Sequence, residues 1–315
     1  MKGYWRCGFY VFLCVGLLFS LISCGGDNNS TNTDLLVAFI SDDRGGPGSV
    51  QRYDGTTGAS LGTVAAGGAL SGPTGLVFGP DGNLYVTSID NGKVLRYNGT
   101  TGAFLNTFVD NIPHSFVVVD PQTQEGFAVG PLGLAFGPDG NLYVSNDFTN
   151  DVRGYNGTTG AALGIFASAG LDAPTGLIFG PDGNLYVSSF NSSSVERYNG
   201  RTGAAMGTFA AGGGLDGPEQ LVFGPDGNLY VSSFNSNSVL RYSGTKGGFQ
   251  RAFVTAGSGG LNAPTGLAFG RDGNLYVSSN ASDEVLRYDG GTGAFKNIFV
   301  PAGRQQFPAF LTFAP

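Results

Sequence analysis

One octapeptide recurs along this chain and limits what the chain can fold into. GPDGNLYV begins at Gly79, Gly137, Gly180 and Gly224, and returns as GRDGNLYV at Gly270. Its tyrosines, Tyr85, Tyr143, Tyr186, Tyr230 and Tyr276, stand 58, 43, 44 and 46 residues apart. A second tyrosine series closes segments such as VLRY at Tyr53, Tyr97, Tyr155, Tyr198, Tyr242 and Tyr288, which makes six copies of one unit. A repeat of this length marks an architecture in which each unit hides its apolar surface against the next.

Within a unit the strand and turn signals alternate plainly. Gly75-Leu76-Val77-Phe78 and Leu84-Tyr85-Val86 are short apolar runs on either side of Pro80-Asp81-Gly82-Asn83, a hairpin turn. Val94-Leu95-Arg96-Tyr97 is a third strand, and Asn98-Gly99-Thr100-Thr101-Gly102 turns the chain into a fourth, Ala103 to Phe108. Asp-Gly and Asn-Gly supply the positive φ that such turns need, which accounts for much of the count of 55 glycines. The first two strands are apolar on both sides, so each small sheet is expected to be covered on both faces by its neighbours. A four-stranded unit of this kind is a propeller blade.

The two ends of the chain complete each other. Pro308 to Pro315 (PAFLTFAP) aligns with Pro73 to Pro80 (PTGLVFGP), a first strand with nothing after it, and Leu36 to Ile40 starts as a second strand with nothing before it. The expected fold is therefore all-β: a six-bladed β-propeller over residues 35–315, closed by the C-terminal strand in the N-terminal blade. The repeats, PTGLVFGPDGNLYVTS followed by VLRY, resemble NHL repeats and the six-bladed propellers of the gluconolactonase and streptogramin-lyase group. WD-repeat and kelch signatures are absent, and Trp5, the one tryptophan, lies ahead of the repeats.

Composition removes several functions. A formal net charge of −7 disfavours a nucleic-acid partner. Beyond the leader, His114 is the one histidine and Cys24 the one cysteine, so a His cluster or a disulfide framework cannot be assembled. The same scarcity weakens a streptogramin-type lyase, since the resemblance implies more than one histidine for that chemistry.

Meander geometry separates two ends of every blade. The GPDGN and NGTTG turns share one end and are nearly invariant. The start of strand one, the loop between strands two and three, and the end of strand four share the other, which varies and is the place for recognition. Where other units read Pro-Thr-Gly-Leu, the fifth reads Pro218-Glu219-Gln220-Leu221, placing a carboxylate and an amide at the axial end of an inner strand. The loops between strands two and three carry Asp42, Asp43, Asp90, Asn91, Asn146, Asp147, Asn191, Asn235 and Asn280. The gluconolactonase resemblance implies a divalent cation such as Ca²⁺ on residues of this kind, with Glu219, Asp90, Asn146 and Asn191 as candidate ligands; loop hydrogen bonding is the competing reading. An insertion over about 109–130 pairs Phe116–Val119 with Phe127–Val129 as an extra hairpin on the variable face, with His114 at its start.

Two functions are set against each other: a binding or scaffold protein whose variable face takes a protein, glycan or small molecule, and a metal-dependent hydrolase or lactonase. The first is favoured, and a monomer is expected. The N-terminus reads as an address, with basic Lys2 and Arg6, an apolar Phe9–Leu21, and Leu21-Ile22-Ser23-Cys24, which resembles the lipobox of bacterial lipoproteins. Residues 1–23 are then a signal peptide, Cys24 the lipidated first residue, and 24–34 a polar tether. Cleavage removes Lys2 and Arg6 and takes the net charge to −9. Gly25 in place of an aspartate points to the outer membrane in a diderm, on an extracytoplasmic side of the envelope. Cys24→Ser is expected to move the protein from the membrane fraction to the soluble one; an unchanged membrane fraction refutes the lipobox reading.

Overall fold

The computed structural model describes residues 34–41, 48–120, 125–303 and 306–315. The leader, Cys24, most of the tether, Asp42 and Asp43 lie outside these residues. Six four-stranded antiparallel sheets make the molecule, with the 115–129 hairpin as a seventh, two-stranded sheet. Blade 1 combines the C-terminal strand Gln306–Phe313 with Leu35–Ser41, Ser49–Tyr53 and Ser60–Ala65. Blades 2 to 6 run from Pro73, Pro131, Pro174, Pro218 and Pro264 to Val109, Ala167, Ala211, Val254 and Val300.

Blades 2 to 6 each begin with the same local chemistry. In the first hairpin of blade 4, the Gly183 N–H donates to the Gly180 carbonyl at 2.9 Å, and Gly183 adopts φ +75°. Asp182 accepts the Asn184 N–H at 3.1 Å, the Asn184 amide at 2.7 Å and the Tyr186 hydroxyl at 2.9 Å. Burial alone would raise the Asp182 carboxyl, but these hydrogen bonds outweigh it and hold the group below its ordinary value. The tyrosine ring lies edge-on between Phe209 of its own blade at 4.7 Å and Phe223 of the next at 5.2 Å. Tyr85, Tyr143, Tyr230 and Tyr276 repeat the arrangement.

Inner strands approach so closely that some positions admit only glycine. A Cβ on Gly176 would stand 2.6 Å from the Glu219 carbonyl oxygen of the next blade, and one on Gly133 the same distance from that of Thr175. The arginine before each third-strand tyrosine has a local role. Arg241 pairs with Asp226 at 3.0 Å and Arg96 lies over the Phe108 ring at 5.6 Å. In blade 3 Gly154 takes that place, and the displaced Arg153 binds Asp151 instead, at 3.0 Å.

Ring closure follows the alignment of the chain ends. Leu35 pairs with Phe313 and Val37 with Leu311, and the Ala314 N–H donates to the Asp34 carbonyl at 2.9 Å. Ala309, Phe310 and Leu311 are buried. Burial of these side chains contributes on the order of 5 kcal/mol, and each kcal/mol is worth about 2 °C in a domain of this size. Deleting 306–315 is therefore expected to lower Tm by about 10 °C or more in a calorimetric scan; an unchanged Tm refutes closure.

Candidate functional site: the mouth of the axial channel

The six inner strands surround a channel of about 390 Å³ lined by apolar side chains such as Leu134, Ile178, Leu267 and Phe223, with Gln220 and Thr312 as its polar contributions. At its mouth on the variable face, Glu219 follows Pro218 at the start of the inner strand of blade 5. Thr74, Thr175 and Thr265 occupy the same place in blades 2, 4 and 6. Thr175 donates to the Pro218 carbonyl at 2.8 Å and Thr265 to that of Pro308 at 2.9 Å. Glu219 makes no such bond. Gln220 bridges instead, its Oε1 accepting the Leu267 N–H of blade 6 at 2.7 Å.

Glu219 keeps a partial opening to solvent while protein surrounds its carboxyl. Burial pushes that carboxyl up to about 8, and the negative charge of Asp147 adds to the rise. Asp147 lies in the loop between strands two and three of blade 3. Burial raises it to about 6, against the Gly130 N–H that donates to its Oδ1 at 2.6 Å. The two influences are unequal for a physical reason: Asp147 ionises while Glu219 is still protonated, and Glu219 must then ionise beside an existing charge.

Asp147 also fastens the insertion. Its own N–H donates to the Gly130 carbonyl at 3.1 Å, and the Asn146 amide donates to the Pro113 carbonyl at 2.8 Å. These bonds hold both feet of the hairpin formed by Ser115–Asp120 and Glu125–Val129 against the mouth. His114 is exposed at one foot, where its Nδ1 donates to the Ile112 carbonyl at 3.0 Å.

The remaining rim residues are hydrogen-bonded to their own loops, to the preceding connections or to the next blade. Asn146 Oδ1 accepts the Phe148 and Thr149 N–H groups, at 3.0 and 3.1 Å. The Asn191 amide donates to Asp172 and that of Asn235 to Asp216, each at 2.9 Å. The Asn280 amide donates to the Pro308 carbonyl at 3.2 Å, Asn91 to that of Ala69 at 2.6 Å, and Asp90 accepts the Ser71 hydroxyl at 2.8 Å. Glu219 and Asp147 are thus the two candidates brought together. A calcium ion takes six to eight oxygens, and among the described residues no group of three or more His, Cys, Asp or Glu converges.

Sequence reasoning missed the aromatic side chains beside these acids. Phe148, Phe190 and Phe234 follow strand two in blades 3, 4 and 5, and the Phe190 and Phe234 rings lie 6.1 Å apart. Phe148 is 48% exposed and Phe116, on the insertion, 46%. The signal was available as a phenylalanine in three consecutive loops where blades 2 and 6 carry none.

Comparisons agree on the fold. The family "Strictosidine synthase-like, N-terminal" matches residues 205–235, a stretch that includes Glu219. No curated protein matches the chain at a significant level. Among solved structures, a chain of the nidogen/laminin complex superposes with a TM-score of 0.69 at 17% identity, covering 89% of this chain and 98% of that one. A streptogramin B lyase structure gives 0.55 at 17% identity, over 74% of this chain and 70% of that one. Virginiamycin B lyase from Staphylococcus aureus gives 0.54 at 16%, over 76% and 73%. The chain shares the β-propeller fold with these proteins, and its own described residues make six blades.

The acid pair has a signature in stability. A carboxyl raised from 4.5 to about 8 by folding supports the native state fully below pH 4.5 and loses that support as pH rises to about 8. Asp147 acts in the same direction between 3.8 and about 6. Glu219→Gln is therefore expected to gain several degrees of Tm over the parent between pH 5 and pH 9. Parallel melting curves across that range contradict the burial of Glu219.

Proposed function

We propose that this chain is an extracytoplasmic binding propeller of the bacterial envelope, tethered through lipid on Cys24, whose variable face receives a protein partner. One observation carries the reading: the main departures from sixfold repetition gather on one face. The insertion hairpin, Glu219, the Asp147 clasp and the exposed Phe116 and Phe148 are all there. The opposite face repeats one turn, with its aspartates tied to tyrosine hydroxyls. A binding surface needs such variation on a rigid frame.

Tether and face are compatible. Asp34 leads into the second strand of blade 1 from the turn end, where Arg52 Nε donates to it at 2.6 Å. A tether of 11 residues from Cys24 reaches roughly 35 Å when extended. It would join the propeller on the face away from the variable loops, leaving those loops free of the membrane. The nidogen/laminin complex supports protein binding as a use of this fold. The lyases among its neighbours keep catalysis as the competing use; among the described residues no group of three or more His, Cys, Asp or Glu converges.

A photo-crosslinking amino acid at position 148, compared with one at position 100 on the turn face, tests the reading in intact cells. A discrete crosslinked partner, identified by mass spectrometry, is expected from position 148 and not from 100. Equal capture at both positions, or none at 148, overturns it.

A further inference from the structure

Charge is distributed unevenly between the two faces. On the turn face four carboxylates meet cations, Asp34 with Arg52, Asp81 with Arg96, Asp226 with Arg241 and Asp272 with Arg287. The variable side carries two such pairs, Lys93 with Asp110 at 3.4 Å and Arg153 with Asp151 at 3.0 Å. Along the arc of the variable face from blade 2 to blade 5, Asp90, Asp147, Asp172, Asp216 and Glu219 form no ion pair with any described lysine or arginine. Asp172 and Asp216 are exposed, and each is held in place by a neighbouring asparagine amide. Glu219, partly buried at the channel mouth, accepts no hydrogen bond from any described residue and feels the negative charge of Asp147.

The aromatic side chains follow the same arc. Phe148, Phe190 and Phe234 stand in the loops of blades 3 to 5, the last two half-buried and 6.1 Å apart, and Phe116 is exposed on the insertion. A carboxylate next to an exposed aromatic face suits a guanidinium or ammonium group, which gains charge-assisted hydrogen bonds from one and cation–π attraction from the other. The acids do not gather into a group of three around one point, so a single small cation cannot satisfy them together. An extended polycation can.

Resting on the binding function proposed above, we infer that the partner presents an extended segment rich in arginine or lysine, and that this segment lies along the acidic and aromatic arc from blade 2 to blade 5. Charge complementarity selects the occupant. Nucleic acid and anionic lipid are repelled by the same field.

Fluorescence anisotropy with a labelled nona-arginine peptide tests this with a charge-matched pair of variants. Asp172→Asn with Asp216→Asn removes two charges from the arc and keeps both side-chain shapes. Asp54→Asn with Asp289→Asn removes two from the turn face, where Asn98, Asn156 and Asn199 hold the same place in other blades. The first pair is expected to weaken binding about tenfold and to flatten its salt dependence, and the second to leave both unchanged. Affinity of the parent is expected to rise between pH 6 and pH 9, as Asp147 and then Glu219 ionise. Equal losses in the two variants mean that net charge alone draws the peptide and overturn the inference, as does no loss in either. Millimolar Ca²⁺ displacing the peptide from the parent with micromolar affinity also overturns it, in favour of a metal site. Persistent crosslinking at position 148 in the Asp172→Asn, Asp216→Asn protein would leave the binding function standing while the basic segment falls.

Discussion

The contact on which the ring depends is the second-strand tyrosine, held edge-on between two phenylalanines. One phenylalanine belongs to the fourth strand of its own blade and the other to the first strand of the next. Each such pair contributes about 0.5–1.5 kcal/mol beyond the burial of its area. The hydroxyl ends on the turn aspartate, so one residue links the hairpin, the blade and the neighbouring blade. Blade 1 shows the dependence by exception. Its first two strands come from opposite ends of the chain, no GPDGN turn joins them, and Leu36 takes the tyrosine position.

That linkage also explains why one face varies and the other does not. Turn residues are tied to the core through the tyrosine, so a change there disturbs two blades. Loops on the other face are attached more loosely and in different ways. The third-strand tyrosines Tyr97, Tyr198, Tyr242 and Tyr288 donate to carbonyls of the preceding connection, at 2.7–3.0 Å. Tyr155 follows the insertion, and its hydroxyl has no such bond among the described residues. The longer connection has displaced that anchor, and Asn146 and Asp147 hold the segment in its place.

Much of this was legible in the sequence, because a repeat presents each structural constraint several times. Blade number followed from the six third-strand tyrosines, strand order from the runs and turns of one unit, and the closing strand from aligning Pro308–Pro315 with Pro73–Pro80. The site was less legible, since it depends on where unique residues end up relative to one another. Asp147 and Glu219 belong to blades that are not adjacent, and a period gives no measure of the space across the mouth. The rim asparagines were equally opaque. Asn191 and Asn235 follow strand two as cation ligands would, yet the structure turns each toward the aspartate of its own preceding connection.

Glu219 and Gln220 read best as a paired exchange. In blades 2, 4 and 6 a threonine hydroxyl stitches one inner strand to the next blade, as Thr175 does with Pro218, and the following glycine permits the close approach. In blade 5 that threonine has become Glu219 and the glycine Gln220. The lost bond is replaced by Gln220 Oε1 accepting from Leu267, beside the bond from Ser232 to the Thr265 carbonyl at 2.7 Å that Ser145 and Thr87 also make at their own junctions. The junction between blades 5 and 6 is therefore held without residue 219. A carboxyl released from structural duty, kept dry enough to retain its proton near neutral pH and set beside Asp147, weakens the fold as pH rises. A fold alone gains nothing from such a group. A cation brought to the mouth gains from it, because ionising Glu219 then meets an opposite charge instead of a like one, and the same burial that opposes its ionisation strengthens the attraction.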